Sequence, residues 1–196
     1  MTAGVLGSNA AMIHRVCGRL AGLFMVEQSF CEAGNVELGR MADSKLKQHV
    51  LAASIRPEVR AEIRALYADL QLKIDQRQPL CVMSGRCCHF DEYGHRLYVT
   101  TAELGAFAAE LADHKSVIPQ PAIAGGCAFQ TGKICRVHTI RPMGCRIFFC
   151  DTTAAEWQQS LYEQYHARLK KLHEVLSIPY SYVEWRFACR ELGWQS

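Results

Sequence analysis

Residues 84 to 90 read SGRCCHF and set Cys87 directly beside Cys88. Cys81 precedes them in the run CVMSGRCC, and a second run, CAFQTGKICRVHTIRPMGCRIFFC, supplies Cys127, Cys135, Cys145 and Cys150. These thiols fall in two short windows, 81–88 and 127–150. Thiolate sulfur is polarisable and binds soft or borderline metals, and Zn²⁺ or an iron–sulfur cluster completes its shell with about four such ligands. Neighbouring side chains diverge from the backbone, so Cys87 and Cys88 are expected to serve different corners of a polynuclear or paired site, unless one of them is merely buried.

The charges around the windows agree with this chemistry. Residues 76–90 hold Arg77 and Arg86 with no acid, and residues 125–150 hold Lys133, Arg136, Arg141 and Arg146, again with no Asp or Glu. Thiolates around a metal leave net negative charge, which nearby cations offset while lowering the thiol pKa values. A disulfide framework has no such need. The competing reading of these cations is a solvated surface, or contacts to phosphates on a partner.

The whole chain narrows the choices. Its 196 residues suffice for one core, and 49% hydrophobic with 21% charged residues is the composition of an ordinary folded protein. A formal charge of +3 is too small to imply a polyanionic partner by itself, so nucleic acid is disfavoured. Ten cysteines permit five bridges by parity, yet their density stays below the roughly 8–10% of small secreted scaffolds. The N-terminal apolar run LAGLFMV is short and lacks a small-residue cleavage site before EAGNVE, so no export signal is read. No run approaches the roughly 18 apolar residues of a membrane span, and the chain reads as cytoplasmic, where thiols stay reduced. A phosphate-binding glycine loop, a dinucleotide fingerprint, a Ser–His–acid order and the ferredoxin C-x-x-C-x-x-C spacing are all missing from the sequence.

The order of these residues resembles a known family. C-x-x-S-G-x-C-C at 81–88, then Cys127 followed by AFQTGKICRVHTIRPMGCRIF, is similar to the zinc- or iron-chelating cysteine-cluster family, the YkgJ-like or CxxCxxCC proteins. That pattern runs C-x-x-C-G-x-C-C, then C-P-F, then C-x-I-Y-x-x-R-P-x-x-C-R-x-F. The resemblance covers 81–150, with Gly85 and the Arg141-Pro142…Cys145-Arg146 run in register. It implies a cytoplasmic, mostly bacterial, metal-binding domain, and the flagellin lysine methylases carry a similar motif. Carried over by position, the expected ligands are Cys81, Cys87, Cys88, Cys127, Cys135 and Cys145, with Cys150 as a seventh. Three positions depart from the pattern. Ser84 stands where the second cysteine is usual, and a hydroxyl is a poor ligand for soft metals, so that corner is either open or filled by Cys189 or His138. His138 replaces the usual tyrosine, and Ala128 the usual proline.

These loops need elements to hold them. Ile55, Val59, Ile63, Leu66, Leu70 and Ile74 recur at helical spacing, Pro57 suits a first turn and Pro79 a stop, which predicts a helix over about 57–77. RLYVT predicts a short strand at 96–100, and Thr100 with Glu103 a capping box opening a helix that ends near His114. VIPQPAIAGG, 117–126, reads as a turn-rich connection. Thr153 with Glu156 predicts a second capping box for a helix over about 153–177, with Trp157, Leu161, Tyr165, Leu169, Leu172 and Leu176 as its apolar stripe, and the aromatic tail from Pro179 a final short helix covering the core. The expected fold is mainly α: helices flanking a cysteine-rich, loop-dominated, metal-binding core with at most a short β element. Residues 41–196 form its single domain. Residues 1–40, which hold Cys17 and Cys31, read as an extension, either a helix over 12–26 or sequence preceding a start at Met41.

Three functions are consistent with these residues. The first is a protein that holds zinc or an iron–sulfur cluster through its thiolates. The second is an enzyme whose cluster carries oxidation or methyl transfer on a protein side chain; His89, Glu92 and Glu103 are its nearest bases in sequence, and no catalytic residue is assigned. The third is a module that binds a protein or nucleic-acid partner through the basic loops.

Overall fold

The structure is a computed structural model that describes residues 45–82, 84–114 and 125–194. The expected helix over 12–26, the expected start at Met41 and most of the connection 117–126 lie outside the described residues. The fold is mainly α, with α-helices and two small sheets. The first helix, α1, spans 45–54. It is followed by α2 (Pro57–Arg77), strand β1 (Tyr98–Thr100), α3 (Thr101–Asp113), β2 (Gln130–Thr131), β3 (Ile134–Cys135), α4 (Met143–Ile147), α5 (Ala155–Val175), β4 (Tyr182–Glu184) and α6 (Trp185–Glu191).

Helix α2 has the bounds its sequence predicts. Pro57 fits the first turn because its missing N–H has no intrahelical partner there, and Gln78 closes the helix in the left-handed region (φ 51°), donating its N–H to the Ile74 carbonyl. Val59, Ile63, Leu66, Leu70 and Ile74 are buried, whereas Ile55 precedes the helix and is 82% exposed. Each buried side chain of this size contributes about 1.5–3 kcal/mol.

Helix α3 carries the predicted capping box, Thr100 Oγ1 accepting from the Glu103 N–H and Glu103 from the Thr100 N–H. Its first seven residues are all buried because it divides two apolar cores. Leu104 and Phe107 pack with Phe90, Leu97, Phe129 and Trp185 around the cysteine loops, while Ala102 and Ala106 pack with Ile63, Leu70, Met143, Tyr165 and Leu169 between α2, α4 and α5.

Helix α5 starts differently from the expectation. Asp151, not Thr153, is the capping side chain: it accepts from the Thr153 N–H (2.9 Å) and hydroxyl (2.6 Å) and closes a 3-10 turn over Thr152–Ala154, so α5 begins at Ala155 without a side-chain cap. An aspartate two residues earlier reaches the same free N–H groups, and the Thr153–Glu156 box does not form. Leu161, Tyr165 and Leu169 are buried as predicted. His173 joins them, its Nδ1–H donating to the Ile178 carbonyl (3.1 Å) while Nε2 accepts the Ala102 N–H (3.3 Å), and burial holds its pKa below the usual value. The neutral ring thereby ties the end of α5 to the start of α3.

The β structure is small. Strands β1 and β4 pair antiparallel with Val99 opposite Val183, and β2 and β3 form a hairpin with Gln130 opposite Cys135. Gly132 takes φ 59° at the first position of the two-residue turn, as a tight hairpin of this hand requires. No described helix is long and apolar enough to cross a membrane.

Candidate metal centre

The two cysteine windows meet through their backbones first. The Cys127 N–H donates to the Cys88 carbonyl (3.0 Å) and the Asp91 N–H to the Gly125 carbonyl (3.2 Å). Arg186 of α6 reinforces the junction, its Nη1 donating to Asp91 Oδ1 (2.9 Å) and to the Gly125 carbonyl (3.4 Å). Gln130 Nε2 donates to the Gly85 carbonyl (3.1 Å), which locks the first window onto the β2–β3 hairpin. Gly85 has φ 78°, and a Cβ there would lie 2.8 Å from Gln130 Nε2 and 3.1 Å from Lys133 Cα. Only glycine combines that backbone conformation with that approach.

A 3-10 turn over Arg86–Cys88 then brings the adjacent thiols together. Cys88 is buried and its thiol contacts those of Cys87, Cys127 and Cys135. Cys88 is the buried member of the adjacent pair, and the tight turn brings the Cys87 sulfur into contact with it. Contact with Cys88 pulls the Cys87 thiol down to about 6 and the Cys135 thiol to about 7, and holds Cys127 below the ordinary thiol value, while Cys88, the shared donor, is raised. One S–H serves one acceptor at a time, so these groups give up protons as a set rather than independently. Burial, followed by the charges of Cys127, Cys135 and Cys87, pushes the thiol of Cys145, in the first turn of α4, well up.

Not every predicted ligand joins this group. Cys81 and Cys150 are exposed, and Ser84 Oγ lies 3.9 Å from Cys150 Sγ, so the serine faces the outermost thiol rather than the Cys88 group. Cys189 is buried in the same core as Cys127, and burial raises its pKa. His138 is largely exposed and has no hydrogen bond to a thiol among the described residues; partial desolvation of its ring, with the charges of Arg141 and Arg146, lowers its pKa. The described cysteines are free thiols.

The cations also divide. The charge of Arg141 reaches Cys87, Cys135 and Cys145, and its Nε is buried with no hydrogen-bond partner among the described residues. Arg146 instead donates to the Arg141 carbonyl (2.9 Å) and the Thr139 carbonyl (2.7 Å) and lies over the Tyr67 ring, while Arg86 lies over Tyr93 and Arg77 reaches the Thr153 carbonyl. Those three support the fold.

Two contributors were not legible beforehand. Trp185, first residue of α6, donates its indole N–H to Cys127 Sγ (3.4 Å), and this bond favours the Cys127 thiolate. Glu103 is no general base: it is 3% exposed, and its carboxylate accepts from the Tyr67 hydroxyl (2.9 Å), the Met143 N–H (3.0 Å) and both Thr100 donors. It pins the start of α4, and with it Cys145, to α2 and α3. His89 and Glu92 pair with each other (3.1 Å). The capping-box spacing pointed to Glu103 only as a cap, and nothing in the tail's aromatic composition marks Trp185 as a sulfur donor.

Among the described residues, no three Cys, His, Asp or Glu side chains are already disposed as ligands about one metal position. The sulfurs meet one another at Cys88 instead. The donor set nevertheless fits a thiophilic metal: Cys88 in contact with three thiols whose pKa values are lowered, beside a buried guanidinium N–H that has no hydrogen-bond partner among the described residues. Compared with protein-family models, curated proteins and solved structures, the chain matches none.

Proposed function

We propose that this protein is a cytoplasmic metal-binding cysteine-cluster protein that holds zinc or an iron–sulfur cluster through Cys87, Cys88, Cys127 and Cys135, with Cys145 as the adjoining thiol. The observation that carries the reading is the meeting of thiols from both windows at Cys88. On this reading, metal–thiolate bonds replace the S–H contacts that Cys88 makes. Zinc would clamp the two windows; an iron–sulfur cluster would add one-electron redox chemistry. Arg141 offsets the negative charge of the thiolates, and the Trp185 N–H holds charge on Cys127.

A second reading, an enzyme whose cluster does chemistry on a substrate, is favoured by one observation: Cys87, Cys145 and Cys150 lie in the wall of a large cavity. Anaerobic purification followed by metal analysis and an absorption spectrum tests the proposal. Stoichiometric zinc in a colourless protein, or iron and sulfide with broad charge-transfer absorption, supports it. A protein that takes up neither overturns it.

A further inference from the structure

The cavity beside the thiol group has a volume of about 630 Å³, within the range of small-ligand sites. It lies between the first cysteine window, β1, α4 and the start of α5. Three large side chains that a folded chain would ordinarily cover are turned to it: Tyr98, Phe148 and Tyr182 line it and are 38%, 39% and 37% exposed. The rings are held in place. Tyr98 stacks on Tyr182 at 5.1 Å, and Tyr182 shares a 2.5 Å hydrogen bond with Tyr162, which also lines the cavity. Phe148 stacks on His95 at 4.9 Å, and His95 Nε2–H donates to the Cys87 carbonyl (3.3 Å), so this wall is tied to the thiol-bearing turn.

The polar groups in the lining are unequal. Asp151 is already engaged with the Leu80 N–H and with Thr153, and Gln158 with the Phe149 N–H and the Asp151 carbonyl. Arg96 lines the cavity, is exposed, and makes no hydrogen bond or ion pair among the described residues. A ring-lined cavity favours a flat ring system, which gains stacking in addition to area burial. One uncommitted guanidinium favours a single anionic group, and the carboxylate of Asp151, also in the lining, disfavours a polyanion such as a nucleoside triphosphate.

We propose that this cavity is a binding site for a small aromatic monoanion, its rings against Tyr98, Phe148 and Tyr182 and its acid group on Arg96. The inference deepens the proposed function, on which it rests for one point only: a molecule bound there lies beside the metal-holding thiol Cys87 and the adjoining Cys145.

The test uses two fluorescent probes that differ by one sulfonate, 8-anilinonaphthalene-1-sulfonate and neutral N-phenyl-1-naphthylamine, titrated into the full-length protein purified anaerobically. The sulfonate is expected to saturate at one equivalent. Arg96→Gln should weaken it about tenfold and leave the neutral probe unchanged. Ala155→Phe and Gln159→Phe, both at exposed lining positions, should each abolish saturable binding of both probes while the circular dichroism spectrum stays that of the parent. Saturating sulfonate should slow iodoacetamide alkylation of Cys150, in the lining, at least fivefold relative to Cys81, which is exposed elsewhere. The inference is overturned if the probes respond alike to Arg96→Gln, if binding survives both lining substitutions, or if Cys150 and Cys81 are protected equally. Metal content is measured on the same samples. Metal without the probe site defeats this inference alone, and the probe site without metal defeats the proposed function alone.

Discussion

Cys88 and Cys150 belong to one sequence pattern and occupy opposite environments. Cys88 is 5% exposed and touches three other thiols, whereas Cys150 is exposed and its sulfur lies 3.9 Å from the Ser84 hydroxyl. The difference follows from what holds the backbone at each place. Around Cys88, the Cys127 N–H, the Gln130 side chain and the close approach of Gly85 fix one window on the other. Beyond Ile147 the chain leaves α4, Phe148 is already exposed, and among the described residues no equivalent contact returns Cys150 to the group. Spacing in sequence selects candidate thiols; backbone hydrogen bonds between windows select which of them meet.

The largest effect on this contrast is expected from the frame rather than from a thiol. Glu103→Ala strands the Tyr67 hydroxyl and the Met143 and Thr100 N–H groups in the core, each costing about 1–3 kcal/mol, so urea denaturation should report a loss of roughly 3–5 kcal/mol. Gly85→Ala comes next. A side chain at φ 78° against Lys133 and Gln130 should cost about 1–3 kcal/mol by the same measurement and should make Cys88 more reactive to alkylation, whereas reactivity at Cys81 should not change.

Trp185→Phe keeps the ring packing and removes the N–H from Cys127, with a stability change of about 1 kcal/mol. Its sharper signature is in pH. The N–H bond lowers the Cys127 pKa, so its loss moves that pKa up, and because metal binding requires the thiolate, metal affinity should fall more at pH 6 than at pH 8 in a competition titration. The smallest effect is expected at the rim. Ser84→Cys sets a thiol opposite Cys150 rather than into the Cys88 group, and the affinity of the primary metal should stay within twofold of the parent.

Much of the helical frame was legible in the residues. Pro57, the apolar spacing to Ile74 and Pro79 delimit α2 because these signals act within a few residues of themselves, and the Thr100–Glu103 box marks the start of α3 for the same reason. The Thr153–Glu156 box does not form because Asp151, two residues before Thr153, takes the Thr153 N–H and hydroxyl. In the site, the residue types and the two windows were legible, and the resemblance to the cysteine-cluster family ordered them. The turn that joins Cys87 to Cys88, the outward placement of Cys81 and Cys150, and the roles of Trp185 and Arg141 depend on contacts between residues distant in the chain, which local spacing does not encode.

The most direct test of the central claim is metal retention in three single variants purified anaerobically beside the parent: Cys88→Ser, Cys81→Ser and Cys150→Ser. The account predicts that Cys88→Ser loses the metal while the two rim variants retain it at the parent stoichiometry. Retention by Cys88→Ser, or loss in both rim variants, would contradict it.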